Sequence, residues 1–342
     1  MALPQRIIVI RLSAMGDVAM CVPVLLALQR DYPSVEVITL SRKRFKPILS
    51  QIPNVTFIKA QVDDIHKGIP GLWKLAKELK ELQPQAIADF HNVLRTKMLR
   101  TFMMGIPNAV INKGRAEKKQ LIDNSSFFKP LKHSTERYAD VLRDLGFEIH
   151  LKQDEFLPKR SISAPILEKI GKNSSKWIGF APFAAHRTKA VGLEKATEIA
   201  QKVAAMSNVN LLLFGGGKKE TSDLAQMASS ADNIISIAGN LDFEEELSLI
   251  SNLDAMIAMD SGNGHLAAMY GVPVITLWGG NTHPYAGFAP YAQPIQRQLT
   301  VNRITYPLVP TSIFGNQLVD GYEDITDSIE TSRILEELKK LL

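Results

Sequence analysis

Residues Asp254–Trp278 hold two apolar runs, Ala255–Met259 and Val272–Trp278, joined by a polar turn and a segment of helical spacing (Leu266, Ala267, Met269, Tyr270). A strand, a turn, a helix and a second strand make a βαβ unit, whose strands must run parallel. Parallel sheets bury both faces under helices, so this stretch commits the chain to the α/β class. Its turn is Asp260-Ser261-Gly262-Asn263-Gly264-His265, between the carboxyl end of a strand and the amino end of a helix. Free backbone N–H groups and the helix dipole favour an anion there. Gly262 and Gly264 lack the Cβ atoms that would hold a phosphate off the backbone. Asp260, Ser261 and His265 offer side chains to ligand atoms beside it. The turn reads as a diphosphate-binding corner, with an ordinary Asp-Ser helix cap as the competing reading.

The rest of the chain repeats the alternation. Strand patterns at Arg6–Ile10, Val35–Leu40, Val55–Ile58, Ala86–Phe90 and Ala109–Ile111 are separated by helical patterns at Val18–Gln29 (containing Pro23), Arg44–Gln51 and Leu72–Leu82. Residues 112–134 carry no clear period and read as a long basic loop, followed by a helix at Thr135–Leu145. Leu157–Ser175 reads chiefly as a crossing. Alternation then restarts with strands Trp177–Ala181, Val209–Phe214 and Ile234–Ala238 and helices Leu193–Met206 and Lys218–Ser229. Asp242 with Glu245 predicts a capping box. After the βαβ unit comes an irregular tail and a helix at Asp327–Leu342, where Ile334, Leu335, Leu338, Leu341 and Leu342 form a packing stripe. Two series of alternating β and α predict two doubly wound parallel sheets facing each other across a cleft. The expected division is 1–157 for a first domain, 158–175 for the crossing, 176–326 for a second domain and 327–342 for the closing helix.

Composition bounds the function classes. At 342 residues, 45% hydrophobic and 22% charged, the chain suits a globular protein of two domains. A single cysteine, Cys21, excludes an internal disulfide and fits a reducing compartment. Arg11 and Asp17 interrupt any signal-peptide core, and no apolar run approaches the ~20 residues of a membrane span. The expected location is the cytoplasm, with peripheral association at the inner membrane face. A net charge of +5 is mild but local, concentrated at Arg42-Lys43-Arg44, Arg95-Lys97-Arg100 and Lys113-Arg115-Lys118-Lys119 in the first half. Such runs are either a solvated face or a surface for anionic groups. They lack interleaved aromatics, which speaks against nucleic acid. The histidines show no metal-ligand spacing, and no metal site is expected.

Three further turns hold candidate chemistry. The first βα turn, Arg11–Asp17, places Gly16 for a tight bend and Asp17 at a helix start. There Asp17 either caps the helix or accepts a proton from an incoming hydroxyl. No G-x-G-x-x-G is present, which removes a dinucleotide fingerprint. Pro182–Lys189 follows the first strand of the second series, where Thr188 and Lys189 reach a diphosphate or form a merely basic surface loop. Gly215-Gly216-Gly217 precedes Glu220, which complements a helix start or binds a ribose diol.

Met15-Gly16-Asp17 after an Ile-Val-Ile strand, Lys189 in a strand-end loop, and Asp260-Ser261-Gly262-x-x-His265 followed by Gly-Val-Pro-Val resemble glycosyltransferase family 9, which includes the ADP-heptose:lipopolysaccharide heptosyltransferases. The resemblance spans both halves in order. It implies a GT-B fold of two Rossmann-like domains, acceptor side first and nucleotide-sugar side second, with no required metal and no cofactor. It assigns Asp17 as general base. Thr188, Lys189, Asp260, Ser261, Gly262 and His265 fall at the donor diphosphate, and Glu220 near the nucleoside. Arg95, Lys113 and Arg115 are expected on the acceptor side, facing an anionic glycolipid at the inner membrane surface. Two loops depart from the family pattern: Lys189-Ala190-Val191-Gly192 stands where Lys-Arg-Trp-Pro is common, and Gly279-Gly280-Asn281-Thr282-His283-Pro284 where Gly-Pro-Thr-Asp-Pro is common. The expected function is inverting transfer of heptose from ADP-heptose to a lipopolysaccharide-type core hydroxyl. A GT-B-like nucleotide-sugar epimerase or hydrolase, and a non-catalytic nucleotide-binding module, are the alternatives.

Overall fold

The structure is a computed structural model and describes residues 2–170 and 175–342. The expected crossing at 158–175 therefore includes four positions, 171–174, outside the described residues. The chain divides into two compact units, one made of Met1–Lys113 and His133–Leu157, the other of Gly114–Lys132 and Pro158–Leu342.

In the first unit β1 (Arg6–Ile10), β2 (Glu36–Ser41), β3 (Val55–Lys59), β4 (Ala86–Asp89) and β5 (Asn108–Val110) form an all-parallel sheet in the order β3-β2-β1-β4-β5. The central strand is wholly apolar beyond Arg6, and Ile7, Ile8 and Ile10 are fully buried, as a strand covered on both faces requires. The direction of winding reverses between β1 and β4, where Ile10 pairs with Asp89. Ligands of doubly wound sheets sit at the carboxyl ends of the strands beside such a reversal.

The second unit repeats the plan. Its strands are β6 (Lys176–Ala181), β7 (Val209–Leu213), β8 (Ile234–Ser236), β9 (Ala255–Met259), β10 (Val274–Leu277) and β11 (Gln298–Leu299), parallel and ordered β11-β10-β9-β6-β7-β8. Its reversal lies between β6 and β9, where Ala181 pairs with Ala258. The expected capping box forms: the Glu245 N–H donates to Asp242 Oδ1 at 2.9 Å, and the Asp242 N–H to Glu245 Oε2 at 2.9 Å.

Several elements differ from the sequence reading, among them a 3-10 turn Lys43–Phe45 with a short helix Lys46–Leu49 where Arg44–Gln51 was expected as one helix, and a helix Ala164–Ile170 within the expected crossing. The helix expected at Val18–Gln29 is two, Met15–Ala19 and Cys21–Asp31; Pro23 sits in the first turn of the second, where its missing N–H has no partner to lose. Leu94–Phe102 is a helix that periodicity did not reveal, because only Thr96 and Leu99 are buried on it. The supposed loop 112–134 contains the helix Arg115–Asp123. Its Leu121 joins Leu131, Ala286 and Ile313 in an apolar cluster lined by Phe127, Phe128, Tyr285 and Phe288, and the Lys118 ammonium lies 3.9 Å from the Phe288 ring centre. Finally, the closing helix runs only over Thr331–Lys339, after a short 3-10 turn at Ile325–Ser328.

Candidate active site

Asp17 stands in the first turn of the helix that follows β1. Its Oδ2 lies 2.5 Å from Arg11 Nη2 and accepts the Ala14 N–H at 3.1 Å, while Oδ1 makes a long 3.4 Å contact to the Tyr138 hydroxyl. Arg11 is buried and donates its other nitrogen, Nη1, to the Phe90 carbonyl at 2.7 Å. The carboxylate is thus oriented by a guanidinium that is itself anchored beyond β4. Tyr138 stacks on Phe90 with ring centres 4.8 Å apart, closing the floor of this corner. His91, just past β4, accepts the Leu12 N–H on Nδ1 at 3.4 Å. Burial foremost, then the charges of Arg11 and Lys113, depress its pKa to about 3, so the ring is neutral with its proton on Nε2. Asp89 is fully buried, accepts the N–H groups of His91 and Asn92 at 2.9 and 2.8 Å, and pairs with Arg100 at 3.0 Å. It holds the post-β4 turn in shape.

At the corresponding reversal of the second unit, Lys189 and Asp260 meet. Nζ lies 2.6 Å from Asp260 Oδ2, with side chains 15% and 9% exposed. Lys189 ends a 3-10 turn, Arg187–Lys189, beyond β6, and Asp260 directly follows β9, so the two strands flanking the reversal each supply one partner. Two glycines make room for the lysine. A Cβ on Gly279 would fall 2.4 Å from Lys189 Cα, and one on Gly315 2.3 Å from Lys189 Cγ and Cδ. Gly315 has a φ of +75°, and its carbonyl accepts the Thr188 hydroxyl. The tail segment around Gly315 therefore clasps both residues of the loop.

Ser261 is the N-cap of the helix Gly262–Ala268, yet its side chain makes no capping hydrogen bond, and its buried hydroxyl has no partner among the described residues. Buried polar atoms are nearly always paired, so a polar atom left over at the edge of this corner suits a ligand. His265 is buried within the same helix. Glu220 Oε2 accepts the Gly216 N–H at 2.8 Å and closes the turn after β7 on the same sheet edge.

Arg95 and Lys113 both act electrostatically on His91 and so stand near the Asp17 corner. Arg115 opens the helix Arg115–Asp123, which belongs to the second unit. Arg11, His91, Tyr138, Gly279 and Gly315 were not singled out from the sequence. Arg11 lies in the same turn as Asp17 and the Gly279-Gly280 pair left a visible signal, whereas His91, Tyr138 and Gly315 are brought in from distant segments.

Two Rossmann-like sheets in one chain, each with polar side chains gathered where its strand order reverses, are the architecture of GT-B glycosyltransferases. The chain belongs to glycosyltransferase family 9: the family model described as glycosyltransferase family 9 (heptosyltransferase) matches residues 72–312. Among curated relatives, the lipopolysaccharide core heptosyltransferase OpsX of Haemophilus influenzae is 26% identical over 290 residues, covering 80% of this chain and 79% of that protein. The solved family 9 glycosyltransferase of Veillonella parvula superposes with a TM-score of 0.76 at 17% identity, over 100% of this chain and 98% of that one. The heptosyltransferase WaaC of E. coli, solved with ADP, gives 0.68 at 16% identity, over 98% and 100%. The protein is a glycosyltransferase.

Proposed function

We propose that the enzyme transfers heptose from ADP-heptose to a hydroxyl of a lipopolysaccharide core acceptor, with inversion at the anomeric carbon. The observation that carries this is the Lys189–Asp260 pair beside a Ser261 hydroxyl that has no partner among the described residues, at a sheet reversal of a family 9 chain. The relative named a lipopolysaccharide core heptosyltransferase and the structure of a heptosyltransferase with ADP support the choice of sugar, acceptor and nucleotide.

In this reading Asp17 takes the proton of the acceptor hydroxyl as its oxygen bonds to the anomeric carbon. The bond from that carbon to the diphosphate oxygen breaks, and negative charge grows on the departing ADP. Lys189, Thr188, Ser261 and the N–H groups of Gly262–Gly264 stabilise that charge. His265 supports the turn from within its helix, and Glu220 lies toward the nucleoside. Asp260 holds the ammonium in place until a phosphate oxygen joins it. Arg95 and Lys113 attract anionic groups of the acceptor, and Arg115 does so from the second unit. Among the described residues no helix is long and apolar enough to cross a membrane; a lipid-borne acceptor is reached from the bilayer surface.

The test is Asp17→Asn, which keeps an oxygen for the Ala14 N–H but removes the base. Sugar transfer, followed as ADP release, should fall roughly 10²–10⁴-fold, the usual share of general-base catalysis. The thermal midpoint should drop as well, because the buried Arg11 loses its carboxylate, so turnover is compared at a temperature well below both midpoints, where each protein is folded. Turnover near that of the wild type refutes the assignment.

A further inference from the structure

The helix Gly68–Glu81 connects β3 to β4 and buries Leu72, Leu75, Ala76 and Leu79. The last three share a core with Ile8, Ile10 and Leu40 of the first sheet. Its outer face is not simply polar. Ile69 is 61% exposed, Trp73 51%, and Ile65, in the turn before the helix, 44%. Successive steps of four residues rotate only about 40° and advance about 6 Å, so Ile69 and Trp73 lie along one side. Lys67, Lys74, Lys77 and Lys80 are exposed around them, and Lys77 Nζ rests 3.5 Å from the Trp73 ring centre. Of the acids nearby, Glu78 turns to His66 at 3.1 Å with its side chain 42% exposed, and Glu81 is exposed at the carboxyl end. In the turn before the helix Asp63 pairs with Arg42 at 2.7 Å while Asp64 is exposed, so the lysines outnumber the acids not engaged by a neighbouring side chain. Large apolar side chains in a ring of lysines, with a tryptophan among them, match the headgroup region of a bilayer. There apolar groups enter the acyl boundary, amphipathic rings stay at the interface, and ammonium groups meet lipid phosphates.

We propose that this face docks the first unit on an anionic lipid bilayer, with Ile65, Ile69 and Trp73 entering the headgroup layer and the four lysines pairing with acidic lipids. The proposal deepens the reading of a lipid-borne acceptor and rests on it for its biological purpose. The binding itself rests on the helix alone and is read without catalysis.

Trp73 supplies its own probe, because the other two tryptophans, Trp177 and Trp278, are buried at 7% and 1% exposure. Titration of the full-length enzyme with vesicles of phosphatidylglycerol and phosphatidylcholine, free of glycolipid, should shift tryptophan emission to the blue and sediment the protein. Pure phosphatidylcholine should do so at least tenfold less well, and added salt should weaken the binding to acidic vesicles. Ile69→Ser with Trp73→Ser, both at exposed positions, should lower vesicle affinity at least tenfold. Lys74→Glu with Lys77→Glu should do the same, and circular dichroism should match the wild type in each. Equal binding of wild type and variants to acidic vesicles, or no blue shift of the wild type, overturns the proposal. So does a concentration-dependent dimer that Trp73→Ser dissolves, since a second copy would then be the occupant. Failure here leaves the Asp17→Asn result untouched, and the reverse also holds.

Discussion

Replacing Lys189 by Met separates the work the lysine does for the fold from the work it does for the donor. Its ammonium lies 2.6 Å from a carboxylate only 9% exposed. Methionine retains the length of the stem and removes the charge, leaving Asp260 buried without its cation. Breaking a buried pair in this way costs about 3–5 kcal/mol; the part exposure of Lys189 lets water relieve some of it, so ~2–4 kcal/mol is the expected loss. For a unit of this size that lowers the thermal midpoint by roughly 5–15 °C. The double variant Lys189→Met with Asp260→Asn removes both charges and should regain most of the lost midpoint. Neither variant should regain activity, because the developing charge on the diphosphate then meets no cation. A loss of about 10²–10³ in kcat is the size expected for one such stabilising group. Differential scanning fluorimetry and steady-state ADP release measure the two effects on the same samples. An unchanged midpoint in the single variant would show that Asp260 does not depend on Lys189. Recovered turnover in the double variant would show that the ammonium is not needed by the donor, and the proposed site would fail.

Two further outcomes follow from the same geometry. Gly315→Ala should weaken donor binding without altering any charge, because the left-handed backbone disfavours alanine by about 1–2 kcal/mol and the new methyl displaces the Lys189 stem; calorimetry with ADP showing undiminished affinity would count against the clasp. His91 carries a pH signature. Its folded pKa, about 3, lies below the ordinary 6.5, so the unfolded chain binds the extra proton across that window and stability falls as pH drops from 6.5 toward 3. The slope reaches up to ~1.4 kcal/mol per pH unit for one such group. His91→Asn, which keeps an acceptor for the Leu12 N–H, should flatten the acid limb of the midpoint-versus-pH curve, and an unaltered limb would place the titration elsewhere.

What could be read from the sequence followed from burial. Strands covered on both faces must be apolar, and Ile7–Ile10, Leu211–Leu213 and Ala255–Met259 announce themselves for that reason. Helices that bury little do not: Leu94–Phe102 and Arg115–Asp123 each hide two residues, and charged side chains mask the period. The turns of the site were legible because Asp17, Lys189 and Asp260 each lie in the turn that follows a strand. The long-range contacts that hold these turns were not. Leu12 meets His91 across 79 positions, Asp17 meets Tyr138 across 121, and Thr188 meets Gly315 across 127. Spacing along one chain holds no record of such meetings. Nor could it show that Lys118, grouped with solvated basic residues, is buried against an aromatic ring.

The segment Gly114–Lys132 leaves the first unit, packs Leu121 and Leu131 against Ala286 and Ile313, and returns at His133. A cut at Leu157 would thus not yield two self-sufficient halves. The amino-terminal fragment would carry an apolar strap deprived of its partners, and the carboxyl-terminal fragment would show a bare aromatic notch. Chimeras that exchange sugar-donor modules between family members would have to transplant 114–132 along with everything beyond 158. The junctions would number three, at 113/114, 132/133 and 157/158.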